Sequence, residues 1–514
     1  MGTQALVVAV FLSCCTAATA GGGVTPISIS DDVLLTTPST FVAHGWEPWS
    51  ATHWFEHFDN PVLQKTFSHL NSTVIRFGGI TADWLKYVAG NAVSAPCVFG
   101  PAWGQGRVEC PFSTGSFDAL LSFLDKAGIR VLFDLNELIG RNCGQSKDGK
   151  HQWCGDKPAA WDTAPVQLLL AHIKDKGFGN IAGFELGNEL WAPEHLPRET
   201  AIDDFAALVK MVEKVWPNKQ QAPPVVGFGT NDCWRNNGSD LMAGIELSNG
   251  NGFSFHSYPA GHPVGGLVPF LTNSSWLRHN TLSEADRCLK AWNAGPRSRG
   301  LSLYVTEAAA SYGITKGTPD TSSFLHGFFS IAQLGQFATA GAGLVARWSI
   351  NSFLLQEPGR DPTSWIASSD FFLYQLYQNF VGHGVLEVTG DDDSALVYAH
   401  CSAGSSNGSI TVFAANPSDQ TIALSLKHAT QPRSEFILTA PGGNFSSKTP
   451  ILNGNAAQPL ALNADGSLPA MPARFCGAQD SMSQSGACGD TLTLPPYSQS
   501  FFVLLSAGVK GCKN

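Results

Sequence analysis

The chain has 514 residues, 43% of them hydrophobic and only 14% charged, which excludes a disordered protein and leaves room for two or three domains around a large core. The formal net charge is -10 and no long basic run is present, so neither a nucleic-acid partner nor a heavily sulfated glycan is expected. An apolar run from Ala5 to Cys15 leads to Ala18-Thr19-Ala20, small residues of the kind a signal peptidase accepts, and the run is too short to span a membrane. Residues 1–20 are read as a signal peptide, with a buried N-terminal helix as the alternative, and a soluble secreted protein without a membrane span is expected. Residues 21–40 contain the strand-like VTPISISDDVLLT, read as a segment that joins a C-terminal β-domain.

From 41 to 384, β-rich runs alternate with helical ones. The runs are FVAHGW (41–46), VIRFGG (74–79), IRVLFDLNE (129–137), AGFELGNE (182–189), PVVGFGT (224–230), GFSFHSY (252–258), SLYVTE (302–307) and LVARWSI (344–350). Segments such as Ser116–Lys126, Ala164–Lys176, Ala201–Val215 and Ser283–Trp292 lie between them, and Phe117, Leu120, Leu121 and Leu124 show helical spacing. The stretch Phe324–Ile350 is broken by His326, Gln333 and Gln336, and reads as a core helix followed by a strand. This alternation predicts an α/β fold, a (β/α)8 TIM barrel, over an open doubly wound sheet. No GxGxxG turn follows the first strand, so no dinucleotide is expected.

Beyond 385 the period changes. SALVYAHCS, GSITVFAAN, QTIALSLKH and SQSFFVLLS are separated by Gly, Asn, Pro and Ser clusters, which predicts an antiparallel β-sandwich over 385–514. Of the twelve cysteines, Cys14 and Cys15 lie in the leader and ten remain. Cys97 and Cys110, Cys143 and Cys154, and Cys476 and Cys488 are close neighbours; Cys401, Cys512, Cys233 and Cys288 are not. No CxxC pattern suggests a metal, and disulfides fit an oxidising compartment, with their connectivity left open. Sequons at Asn71, Asn237, Asn273, Asn407 and Asn444 fit a glycoprotein.

Catalytic groups of a barrel come from the C-terminal ends of its strands. Here the fourth run ends in Asn188-Glu189, the sixth in His256-Ser257-Tyr258, the seventh in Glu307, the second in Gly78-Gly79 and the third in Asn136-Glu137. Polar groups costly in an apolar core thus gather on one rim. Two carboxylates across a barrel mouth suit glycoside hydrolysis, one protonating the leaving oxygen and the other attacking the anomeric carbon. In that role Glu189 needs a raised pKa; Asn188 would contact a sugar hydroxyl, Tyr258 would hold Glu307, and His256 would hold the sugar or tune a carboxylate. A single Glu at a strand end is more often a solvated group or a helix cap. Glu185 is read as structural, paired with Arg76 or Arg347, and Arg76 would equally orient Glu307. Glu137 and Glu47 are weaker rim candidates, and His44 and His262 are read as ordinary polar residues. No HExxH, Walker or GxSxG motif appears, so no metal, cofactor or serine nucleophile is expected.

These residues resemble a known family. Gly187-Asn188-Glu189 with a Glu ending the seventh strand is similar to the retaining barrel glycosidases with two catalytic glutamates. RFGGITADWL (76–85), FELGNELW (184–191), FHSYPAG (255–261), TEAAASYG (306–313), VYAHCS (397–402) and LPPYSQSFFVLL (494–505) follow the order of similar segments in heparanases and related β-glucuronidases, glycoside hydrolase family 79. The resemblance implies a secreted or lysosomal hydrolase of β-linked glucuronides, with Glu189 as acid/base and Glu307 as nucleophile. It implies that Asn188, His256 and Tyr258 support the pair, that Tyr312 and Gly313 contact the sugar near its carboxylate, and that Cys401 pairs with Cys512; the family's Asp at the end of the first strand has no clear counterpart, and Glu47 there and Gly79 at the end of the second run are taken as further substrate-binding candidates. Ile314 follows Gly313 where the family often has a second Gly, and His262 stands where animal heparanases carry an Arg. The basic segments of a heparan cleft and the long excised linker are absent, which predicts one uncleaved, monomeric chain. An exo-acting β-glucuronidase is expected; the alternatives are an endo-acting heparanase on glycosaminoglycans, a hydrolase of another sugar, and a non-catalytic glycan-binding relative.

Overall fold

The computed structural model describes residues 24–96, 110–145, 152–155, 157–190, 196–230, 238–282, 289, 300–313, 317–356, 365–390, 393–404, 407–477 and 488–513. Eight strands close into a barrel: β1 (Val42–Trp46), β2 (Val74–Phe77), β3 (Arg130–Leu135), β4 (Ile181–Leu186), β5 (Val225–Thr230), β6 (Gly252–Ser257), β7 (Ser302–Ala308) and β8 (Leu344–Arg347). Every pair is parallel, and β8 returns to β1 through Val345–Val42 and Arg347–His44. All eight predicted runs are barrel strands, and the fold is a TIM barrel with an additional antiparallel sheet. The predicted helix Ser283–Trp292 falls almost wholly outside the described residues.

Strand periodicity decides what the barrel encloses. Ala43, Val74, Leu132, Val226, Leu344 and Ala346 form a small apolar layer inside it. Their alternates Ile75, Phe77, Val131 and Phe133 point outward into the main core, together with Phe117, Leu120 and Leu124 of helix Thr114–Lys126. Two residues beyond Val74 and Leu132, on the same inward face, come Arg76 and Asp134. The apolar layer therefore floors a polar mouth.

The C-terminal strands form a second body. Its larger sheet runs in the order Ser28–Thr36, Val381–Thr389, Leu396–Ser402, Ile410–Asn416, Ser498–Leu504, Arg433–Thr439 and Ile451–Leu452. A smaller sheet joins Val24–Pro26, Ile422–Ser425 and Thr491–Leu494. Both sheets thus take a strand from the segment 24–36, and strand Val381–Thr389 begins ahead of residue 385. Strand Ile410–Asn416 shows why both of its faces are apolar. Ile410, Val412 and Ala414 face the sandwich core, whereas Phe413 and Ala415 join the core shared with the barrel. Burying a side chain such as Phe413 or Phe501 contributes roughly 1.5–3 kcal/mol, which fixes the sandwich against the barrel. At Gly335, in helix His326–Ala340, a Cβ would lie 2.2 Å from the Tyr398 ring, so only glycine admits that contact.

Disulfides join Cys143 to Cys154, Cys401 to Cys512 and Cys476 to Cys488. Cys110 is also disulfide-bonded; Cys97, Cys233 and Cys288 lie outside the described residues, as do Asn237 and Ile314. Asn71, Asn273, Asn407 and Asn444 are all exposed. Among the described residues no helix is long and apolar enough to cross a membrane.

Candidate active site

Arg76 organises the mouth. It is fully buried near the end of β2 and donates to four side chains: Glu185 Oε2 at 2.6 Å, Glu307 Oε1 at 2.6 Å, Asp134 Oδ2 at 3.0 Å and Asn188 Oδ1 at 2.9 Å. Burial alone would lower the guanidinium pKa, but Glu185, Asp134 and Glu307 outweigh it and raise it. Arg76 therefore pairs with Glu185 and orients Glu307 at once. Arg347 is engaged elsewhere, by Asp370 at 2.8 Å. His44 faces that second network and is pushed down to about 3, by burial first and Arg347 next, away from the rim.

Glu307, on β7, is nearly buried. Its Oε1 accepts from Arg76 and its Oε2 from the Tyr258 hydroxyl at 2.5 Å. Glu189 stands just past β4 with its side chain 24% exposed, and its Oε1 lies 2.5 Å from His256 Nδ1. His256 Nδ1 is also 3.6 Å from Glu307 Oε2. One ligand atom from each of Glu189, His256 and Glu307 falls within 4.8 Å of the other two. That is a spacing a metal ion could bridge; in the structure Glu189 is hydrogen-bonded to His256, and Glu307 to Arg76 and Tyr258. Two acidic groups thus differ in setting. One is held by a cation and a phenol, the other is reachable from solvent and hydrogen-bonded to an imidazole.

The other predicted residues fall around this pair. Asn188 is held through its side chain by Arg76 and through its backbone N–H by Asp83 Oδ2 at 2.9 Å. Gly79 has φ +113°, and a Cβ there would lie 1.8 Å from Glu47 Oε2. Its place is to let Glu47 and Trp348 close in, a backbone conformation that favours glycine. Glu47 Oε1 accepts from the N–H and hydroxyl of Thr81, while Oε2 is buried with no hydrogen-bond partner among the described residues. Burial, then repulsion from Glu307, push Glu47 up to about 8. Tyr312 is 69% exposed and meets the Tyr258 ring edge-on at 5.9 Å. The Gly313 N–H donates to Ser311 Oγ at 3.0 Å, so that backbone donor is already engaged. Glu137 is buried beside Gly187, below the rim; burial and then Asp204 raise its pKa.

Sequence reasoning missed Trp348, Asp134 and Asp83. The Trp348 ring covers Gly45 and Gly79 and stands 6.0 Å from the Arg76 guanidinium. Its signal was its place at the end of the eighth run, masked by an apolar identity that reads as core.

A closed parallel barrel with two carboxylates meeting over its C-terminal mouth, one on β7 and one after β4, has the build of a TIM-barrel glycoside hydrolase. The family described as "Glycosyl hydrolase family 79, N-terminal domain" matches residues 38–335, more than half of the chain. The chain belongs to that family and is a glycoside hydrolase, whose substrate is a carbohydrate. It is 25% identical over 497 residues to a hyaluronoglucuronidase of Hirudo nipponia, covering 90% of this chain and 92% of the relative. It is 27% identical over 426 residues to a heparanase of Mus musculus, covering 78% and 71%. A solved 4-O-alpha-L-rhamnosyl-beta-D-glucuronidase from Fusarium oxysporum shares the fold, with a TM-score of 0.66 at 15% identity over 93% of this chain and 100% of the other.

Proposed function

We propose that the chain is a retaining, exo-acting β-glucuronidase. The observation that carries the mechanism is the approach of Glu189 and Glu307, with carboxylate oxygens within 4.8 Å. Retaining glycosidases hold their carboxyl groups about 5–5.5 Å apart, whereas inverting ones leave about 6.5–9.5 Å for a water. Glu307, paired with Arg76 and oriented by Tyr258, attacks the anomeric carbon. Glu189 gives its proton to the glycosidic oxygen as the carbon–oxygen bond breaks and the ester to Glu307 forms. Glu189, now a carboxylate accepting from His256, takes a proton from water. The hydroxide attacks the anomeric carbon and frees Glu307.

The glucuronide assignment draws on the glucuronidase relatives, and the exo assignment on the acidic balance of the chain. A long polyanion would meet a surface of its own sign. An endo-acting reading on glycosaminoglycans keeps support from the hyaluronoglucuronidase, nearly all of whose length is matched. We assign the chain to the secretory route, from the leader, the exposed sequons and the disulfides.

The deciding assay sets aryl β-glucuronide against β-glucoside and β-xyloside, with Glu189→Gln and Glu307→Gln alongside. Wild type is expected to prefer the glucuronide and both variants to lose turnover. Equal rates on the glucoside would remove the uronate assignment; full activity in Glu307→Gln would remove the mechanism.

A further inference from the structure

We propose that Asp83 is a positioning residue for Glu189, a two-armed acceptor that ties the turn after β4 to the turn after β3. The inference rests on Glu189 being the acid/base. Asp83 lies in the one-turn helix Ala82–Trp84, which follows β2, and is 2% exposed. Oδ1 accepts the backbone N–H of Glu137 at 3.0 Å, and Oδ2 accepts the backbone N–H of Asn188 at 2.9 Å. The second amide belongs to the residue that immediately precedes Glu189.

The local backbone explains why such an anchor matters. Glu189 has φ +55°, a left-handed conformation that a non-glycine residue keeps only where its surroundings hold it. On its N-terminal side Gly187 has φ +71°, and a Cβ there would lie 2.6 Å from Glu137 Oε2. The Glu189 N–H is itself held by the Gly229 carbonyl at 3.0 Å. β5 thus fixes the Asn188–Glu189 peptide through Gly229, and Asp83 fixes the one before it, between Gly187 and Asn188. A rotation of that peptide would carry the Glu189 carboxyl away from His256, and so away from the oxygen it must protonate.

The residue type follows from the two donors. A buried carboxylate is tolerated where charge-assisted hydrogen bonds replace its water. An asparagine offers one acceptor, and its amide group would confront the second N–H with another donor.

The test separates positioning from mere folding by the leaving group. A dinitrophenolate departs without a proton, whereas a phenolate needs one. Wild type, Asp83→Asn and Glu189→Gln are compared on phenyl and dinitrophenyl glycosides of whichever sugar the wild type cleaves. Asp83→Asn is expected to lose about a hundredfold in kcat/KM on the phenyl substrate and less than about threefold on the dinitrophenyl one, the same split as Glu189→Gln. An equal loss on both substrates, or no loss on either, overturns the proposal. Where Asp83→Asn does not accumulate, Asp83→Ser, which keeps one acceptor, carries the same comparison. A Glu189→Gln enzyme lacking the split would bring down the acid/base assignment itself, and this inference with it, so the two failures are told apart.

Discussion

The Tyr258 hydroxyl donates to Glu307 Oε2 at 2.5 Å, on the side of the carboxylate opposite Arg76. Burial, then the Glu307 charge, raise the phenol well above its ordinary range, so it remains a donor wherever the enzyme works. One carboxylate is thereby gripped by a neutral donor on one oxygen and a cation on the other, which fixes its orientation.

Tyr258→Phe should keep the fold and lose this grip. A hydrogen bond to a charged group is worth about 1.5–3 kcal/mol, and each 1.4 kcal/mol corresponds to about tenfold in rate, so kcat/KM should fall by roughly one to two orders of magnitude. Steady-state kinetics on an aryl glycoside checks it. A variant indistinguishable from wild type would show that Arg76 alone orients Glu307.

Glu47 should make stability depend on pH. In the unfolded chain a Glu ionises near about 4.3, whereas Glu47 in the fold is pushed up to about 8. Between those values the folded carboxyl keeps a proton that the unfolded one has released. Its contribution is complete at low pH and is lost as pH rises through the folded value. Glu47→Gln removes this titration at nearly constant volume. The gap in Tm between wild type and Glu47→Gln should therefore shift in favour of the variant from about pH 5 to about pH 8. Parallel curves would mean that Glu47 is not protonated in the fold.

The barrel strands were legible because each is a short β-branched or aromatic run with polar residues gathered at its C-terminal end. The meeting of Glu189 and Glu307 at one rim was legible for the same reason: each stands at or just past the C-terminal end of a barrel strand. The partners of Arg76 were only half legible. Its choice between Glu185 and Glu307 looked exclusive in sequence, because a single guanidinium's ability to serve both depends on the barrel radius. Asp134 sits in the middle of an apolar run and Asp83 in a turn, and only closure of the barrel brings either to its partners. Arg347 found Asp370, from helix Ser369–Phe380, a segment no rim argument considers.

Arg76→Met should destabilise more than any loss at the rim. It leaves Glu185, Asp134 and Glu307 close together without their shared cation. Breaking a buried ion pair from one side costs about 3–5 kcal/mol. Urea unfolding reads this directly. Adding Glu185→Gln should recover part of the loss, since the two changes touch one network. A single variant within about 1 kcal/mol of wild type would show that the network is not what holds the mouth together.

The last prediction concerns uronate recognition. With the Gly313 N–H engaged by Ser311, the loop after β7 presents no obvious backbone donor from that residue to a sugar carboxylate. His262, from the loop after β6, lies directly over Gly313, where a Cβ would meet its ring at 2.5 Å, and its ring centroid stands 6.3 Å from that of Tyr312. An imidazole there can donate to a carboxylate at the place where animal heparanases carry an Arg. His262→Ala should therefore lower the ratio of glucuronide to glucoside kcat/KM by about tenfold while leaving the glucoside value nearly unchanged, and His262→Arg should keep the preference. If the ratio holds in His262→Ala while both rates fall together, the loop supports the site without reading the carboxylate.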